Sequence, residues 1–214
     1  MRDDILISNI YRSNPGILFE DYQKLFEYYV GQERKNYLLN FLKKDTYIIT
    51  MNTSEYNILN VLRYIDQSYN IDVEHKRIYS VRDRYNSFVK MFGEKIDKKE
   101  YILQAKLYTI SILKTDEETA LFIDDLFDET DVLKSTQNWP RMQNLKYIKV
   151  EAGIQNKMIV DLSKYDKIFL DFDNTITRNT TTKVTITRQF ENNKVETTYD
   201  YGDFLKYSNK YWII

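Results

Sequence analysis

The sequence predicts an α/β fold, a parallel sheet covered by helices on both faces, and three observations carry that expectation. Short apolar or β-branched runs alternate with segments of helical period. The clearest of the runs, Ala120 to Ile123 and Ile168 to Leu170, are continuously apolar, as strands buried on both sides must be. Polar residues stand immediately after several of them, where a parallel sheet turns its carboxyl ends toward ligands.

The elements follow in order. Asn14-Pro15-Gly16 is a turn before a first helix, in which Leu18, Tyr22, Leu25, Phe26 and Tyr29 recur at helical spacing between Ile17 and Val30. Beyond Gly31, Tyr37, Leu38, Phe41 and Leu42 extend the pattern into a second short helix. Thr46 to Thr50 is a β-favouring run, followed by Thr53 and Ser54 as candidate caps for a helix carrying Ile58, Val61, Leu62 and Ile65. Lys76 to Val81 reads as a second strand, and the next helix, with Tyr85, Phe88, Val89 and Phe92, ends near Gly93. Asp97 can cap a helix whose apolar face holds Tyr101, Ile102, Ala105 and Ile112. Ala120 to Ile123 is a strand running straight into Asp124-Asp125, and after a short helix Lys146 to Val150 supplies another. Lys167 to Leu170 is the fifth and ends on Asp171. The tail is different: two Thr-rich runs, 183–190 and 194–201, flank Glu191-Asn192-Asn193 as a hairpin. The expected organisation is one domain of residues 1–214, with 1–45 a helical arm or small cap, 46–175 the core, and 176–214 the hairpin and tail.

Composition narrows the chemistry. The chain has 214 residues, 43% hydrophobic, with no Cys and a formal net charge of -1. That length buries enough surface to dispense with disulfides or a structural metal. The missing Cys removes thiolate zinc sites and Cys nucleophiles, and the balanced charge argues against bulk electrostatic capture of nucleic acid or membrane. No run approaches the ~20 apolar residues that span a bilayer, and the amino-terminal segment lacks the apolar core of a secretory signal. The expected location is therefore intracellular, in the cytoplasm, with no membrane partner. His75, the sole histidine, sits among Asp72, Glu74 and Lys76 as a loop residue, and Trp139 and Trp212 are isolated packing residues. There is no Gly-rich phosphate loop.

The sharpest feature is Ile168-Phe169-Leu170-Asp171-Phe172-Asp173-Asn174-Thr175. Two carboxylates one residue apart at the end of a buried strand are costly unless a cation or hydrogen bonds compensate them. The string resembles the first motif of the haloacid dehalogenase (HAD) superfamily, Asp-x-Asp-x-Thr after an apolar strand. The resemblance implies a nucleophile at Asp171, which becomes an aspartyl phosphate, and a general acid/base at Asp173. Three further features resemble the family's constellation. Thr50 ends a strand, Lys98 or its neighbour Lys99 begins a helix, and Asp124-Asp125 closes an apolar strand.

Their order is rotated. A usual family member begins with the nucleophile motif, whereas here Thr50, Lys98 and Asp124-Asp125 all precede Asp171, and only residues 176–214 follow Thr175. The resemblance therefore implies a circularly permuted, three-layer Rossmann-like sheet with the carboxyl-terminal hairpin as a flap. Permutation is physically reasonable because domain termini often lie close together.

The activity implied is that of an Mg²⁺-dependent phosphatase acting on a phosphorylated substrate. A carboxylate attacking a phosphate dianion meets repulsion that a divalent ion and a lysine relieve. The resemblance gives the metal to the Asp171 side chain, the Asp173 carbonyl and Asp125, with Asp124, Asp128 or Glu129 behind them or Asp124 as the direct ligand. Thr50 would donate to a phosphoryl oxygen. Two other readings stand beside this one: a catalytically idle binding or scaffold protein of the same fold, and a phosphatase for nucleic-acid ends in which Lys183, Arg188 and Lys194 of the hairpin touch the polynucleotide.

Overall fold

In the computed structural model, which describes residues 19–42, 45–68, 75–93, 97–155, 158–190 and 192–211, all five predicted runs join one parallel sheet. The strands are β1 (Thr46–Thr50), β2 (Ile78–Ser80), β3 (Ala120–Asp124), β4 (Leu145–Lys149) and β5 (Lys167–Leu170). The helices among the described residues are α1 (Phe19–Tyr29), α2 (Lys35–Leu42), α3 (Glu55–Ile65), α4 (Arg82–Phe92), α5 (Lys98–Leu113), α6 (Glu129–Thr136) and α7 (Tyr201–Tyr211). No helix among them is long and apolar enough to cross a membrane.

The spatial order is β2-β1-β5-β3-β4, so the last of these five strands in sequence lies at the centre of the sheet. Numbered from β5, that order reads 3-2-1-4-5, the arrangement of a doubly wound Rossmann-like sheet. The two halves of such a sheet diverge between its strands 1 and 4, which here are β5 and β3. Alternation along the strands divides the core between two faces. Ile48, Leu121, Ile123, Ile168 and Leu170 meet α1, α2, α3 and Phe204 of α7, whereas Ile49, Ala120, Phe122, Tyr147 and Phe169 meet α5 and Val132 of α6. Trp139 packs at the margin of the second face.

Some expected boundaries move. At the edge of the sheet β2 keeps three residues, because His75–Arg77 forms a single 3-10 turn and Val81 drops into the core ahead of α4. Ser54 precedes α3 without a side-chain cap; instead the Asn52 Oδ1 accepts from the Ser54 N–H at 2.9 Å. Asp97 does cap α5, accepting from the Lys99 N–H at 3.1 Å. Ile112, read as part of the apolar face, falls with Tyr108 on the exposed stripe of an otherwise buried helix. The Asn14-Pro15-Gly16 turn, Ile17, Leu18, Trp212 and the His75 side chain lie outside the described residues.

The hairpin is β6 (Val184–Phe190) with β7 (Asn193–Tyr199), and Tyr201 opens α7 where a strand end was expected. Its inner side chains Ile186 and Tyr199 enter the first core, and the Arg188 Nε donates to both carboxylate oxygens of the buried Asp21 on α1, at 2.9 and 3.1 Å. Helix α7 lies on α1: the Phe204 ring is 6.0, 5.1 and 5.0 Å from those of Tyr22, Phe26 and Tyr29. The first and last described helices are thus packing partners.

A buried arginine ties this layer to the loops above the sheet. Arg34 donates from Nη1 to the Val30 carbonyl at 2.7 Å, from Nε to Ile154 at 2.6 Å and from Nη2 to Thr175 at 3.0 Å. Burial lowers its pKa to about 10, which still leaves it charged at neutral pH. Gly153 makes the approach possible. It has φ 78, and a Cβ there would lie 2.6 Å from the Arg34 Nη2 and 3.1 Å from the Thr175 carbonyl oxygen. A guanidinium pinned by three carbonyls cannot swing aside cheaply. Gly153→Ala is therefore expected to cost about 2 kcal/mol or more, from left-handed strain plus the lost arginine geometry. Thermal unfolding checks this; a Tm within a degree of wild type would show that the loop relaxes freely.

Candidate active site

Three neighbouring strands end in polar residues at one edge of the sheet: β1 at Thr50, β5 running into Asp171, and β3 at Asp124 followed by Asp125. Ile123 pairs with Leu170 and the Asp171 N–H donates to the Ile123 carbonyl at 2.9 Å, so the register sets Asp124 and Asp171 side by side. Both are buried, at 0% and 5% exposure. Two adjacent buried carboxylates need a cation, and Lys106 supplies it. Its ammonium donates to Asp124 Oδ2 and to Asp171 Oδ1, each at 2.6 Å, from a side chain that is itself 3% exposed. Burial works to strip the Lys106 proton, but the two carboxylates outweigh it and raise its pKa. Asp171 is pushed well above the usual carboxylate range by burial, with Lys106 opposing and the charges of Asp124 and Asp173 reinforcing. The other oxygen of Asp124 accepts from the Leu126 N–H at 2.8 Å, fixing the carboxylate at the head of the turn.

Asp125 joins this pair. Asp124, Asp125 and Asp171 each offer a carboxylate oxygen, all within 4.8 Å of one another. Burial, and then the charge of Asp124, raise the Asp125 pKa from 3.8 to about 6, against the pull of Lys106 and a hydrogen bond with the Asn174 side chain. Three acids facing one ammonium leave the cluster short of positive charge. An all-oxygen, anionic donor set of this kind fits a hard divalent cation such as Mg²⁺.

The chain leaves β5 through a tight turn over Phe172–Ile176, closed by the Thr177 N–H donating to the Phe172 carbonyl at 3.0 Å. Asn174 takes φ 57 there, a left-handed conformation Asn tolerates better than most residues. Its Oδ1 accepts from the Thr180 hydroxyl at 2.8 Å, bracing the turn. The turn carries Asp173 to the Tyr201 hydroxyl, which donates to Asp173 Oδ1 at 2.7 Å, and to a hydrogen bond with the Asn52 side chain. Burial raises the Asp173 pKa while these two partners oppose it. Thr50 is fully buried, and its Oγ1 accepts from the Asn52 N–H at 3.1 Å. A hydroxyl that accepts in this way still has a proton to donate.

Asp171, Asp173, Thr50, Asp124 and Asp125 thus come to the carboxyl ends of three adjacent strands. The lysine that reaches these carboxylates is Lys106, and neither Lys98 nor Lys99 does so. Lys98 is exposed in the first turn of α5, and Lys99 pairs with Asp128 and Asp131 at 3.8 and 3.9 Å. Eight residues of helix, about 12 Å, separate Lys98 from Lys106. Asp128 and Glu129 are also occupied outside the cluster, by Lys149 at 2.5 Å and Lys146 at 3.1 Å. The signal for Lys106 was present: one charge on a helical stripe otherwise made of Ile102, Thr109 and Ile110. Tyr201 gave no such signal, since it reads as the last residue of a strand. In the hairpin, Arg188 is held by Asp21 and Lys194 by Glu196 at 2.6 Å, while Lys183 is exposed.

The Asp125 shift sets a pH dependence. A folded-state pKa raised above the ordinary 3.8 means the fold holds this proton more tightly than the unfolded chain. Its contribution to metal-free stability is therefore largest below that value and falls as pH rises to about 6. A divalent cation needs the ionised carboxylate. Mg²⁺ is expected to raise Tm clearly at about pH 7.5 and little at about pH 5; equal shifts at both would remove Asp125 from the metal cluster.

Comparison with protein-family models, with curated proteins and with solved structures finds no match to this chain.

Proposed function

We propose that this protein is an Mg²⁺-dependent phosphohydrolase of HAD-like, circularly permuted design, working through an aspartyl phosphate on Asp171. The observation that carries the reading is the Lys106 ammonium 2.6 Å from both Asp171 and Asp124 at the divergence of the sheet. It is the charge arrangement a carboxylate nucleophile needs when its target is itself an anion. The strand order supports the permuted reading: counted from β5 it is doubly wound, and α7, which follows the hairpin, packs on α1, which precedes β1.

In the reaction, an oxygen of Asp171 attacks phosphorus and the ester P–O bond breaks, while Asp173 gives its proton to the departing alkoxide. Water then attacks the phosphorus of the aspartyl phosphate, Asp173 takes a proton from that water and so regains its acid form, and the bond to Asp171 breaks to release phosphate. Thr50 donates its hydroxyl to a phosphoryl oxygen, and Lys106 holds the nucleophile in place and offsets the incoming charge. Mg²⁺, held by Asp171, Asp125 and Asp124 with the Asp173 carbonyl, would supply the remaining neutralisation of the phosphoryl oxygens. The discriminating assay is hydrolysis of aryl and alkyl phosphates with saturating Mg²⁺ and with chelator. Turnover that vanishes on chelation supports the reading; none over a broad phosphate panel, with Mg²⁺ shown to bind, supports the idle scaffold instead.

A further inference from the structure

We infer that Tyr201 is the positioning residue of the acid/base, and that the carboxyl-terminal hairpin and helix are therefore part of the reaction centre. This inference rests on the phosphohydrolase reading and adds a role that the motif residues leave open. The phenol reaches Asp173 Oδ1 at 2.7 Å and lies 2.9 Å from the Thr177 Oγ1, which in turn is 3.3 Å from the Phe172 carbonyl. Four oxygens and two hydroxyl protons make a chain that works in either direction. With Asp173 ionised, Tyr201 donates to it and Thr177 donates to Tyr201. With Asp173 protonated, the acid donates to Tyr201, Tyr201 to Thr177, and Thr177 to the Phe172 carbonyl. Asp173 thus keeps a partner in both states through which the proposed reaction passes it. A lysine in that place would favour only the carboxylate, and an apolar residue would hold neither state.

The phenol is itself rigidly placed. Tyr201 is the first residue of α7, two positions after β7, and its ring lies 5.2 Å from that of Tyr29 and 5.9 Å from that of Phe204. The docking of the hairpin through Arg188 and Asp21 fixes where α7 begins, and so where the hydroxyl points. Thr177, with 0% exposure, closes the chain from the motif side.

The test compares two esters on the full-length protein with Mg²⁺. p-Nitrophenyl phosphate has a leaving group stable as an anion, whereas glycerol phosphate leaves as an alkoxide that must be protonated. If Tyr201 positions the acid, Tyr201→Phe lowers kcat/KM, which reports the first phosphoryl transfer and not the later hydrolysis common to both esters, by about tenfold or more for the alkyl ester and by less than about threefold for the nitrophenyl ester. Thr177→Val, which removes only the outer hydroxyl, moves the same ratio in the same direction by less, and stands in should Tyr201→Phe unfold. A loss of kcat/KM equal on both esters overturns the role of Tyr201 while leaving the phosphohydrolase reading intact. A wild type inactive on both esters overturns that reading and this inference with it.

Discussion

Asp171→Asn is expected to abolish phosphate ester hydrolysis, lowering kcat by at least about 10⁴-fold, and to leave the protein folded. Asn has the shape of Asp, so the strand end and its backbone bond to Ile123 are kept. Its amide oxygen is a poor nucleophile and cannot form the acyl phosphate. Stability is expected to stay level or rise, because the substitution removes one of three crowded acids and still leaves Lys106 its bond to Asp124. Asp173→Asn, by contrast, removes only proton transfer and is expected to cost about 10²- to 10⁴-fold. Acid-quenched wild type should carry a phosphoryl group on the peptide that contains Asp171. Activity within tenfold of wild type in Asp171→Asn, or a phosphoryl group found elsewhere, would remove Asp171 as nucleophile.

The sheet and most of the site were legible because both are written locally. A strand buried on two faces is a run of apolar residues, as at Ala120 to Ile123, and a site at its end is the polar residue that follows it. Asp124, Asp171 and Thr50 are read this way without knowing how the strands pair. Lys106 was missed because its partners are distant in sequence. A lysine in mid-helix becomes a counter-ion only when the helix crosses the ends of β3 and β5, and the family pattern drew attention to the exposed start of the same helix. The phenol of Tyr201 was hidden for a related reason. Its partner lies 28 residues earlier, and the hairpin between them had to be docked on α1 before the hydroxyl had an address. Strand order was equally invisible locally, since nothing within Lys167 to Leu170 says that it is central; only the requirement that Asp171 sit between Thr50 and Asp124 does.

The ion pairs of Lys106 yield the strongest stability prediction. Lys106→Met keeps the length and apolar stem of the side chain but leaves Asp124 and Asp171 buried with no cation between them. Removing one partner of a buried ion pair costs about 3–5 kcal/mol, which for a chain of this size lowers Tm by about 10 °C. Asp171, already pushed up by burial, is expected to respond by taking up a proton, so the loss should be greater at neutral pH than at about pH 5. Because the cost comes from the stranded charge rather than from a missing contact, Lys106→Met combined with Asp124→Asn should be more stable than Lys106→Met alone. Lys98→Ala removes an exposed ammonium and Lys99→Ala a half-buried one in surface ion pairs, and both are expected to shift Tm by less than about 2 °C. Activity should separate the three lysines in the same order, falling below detection only at position 106. If Lys99→Ala proves as damaging as Lys106→Met, in stability and in turnover alike, the ammonium between the two carboxylates is not what holds this site together.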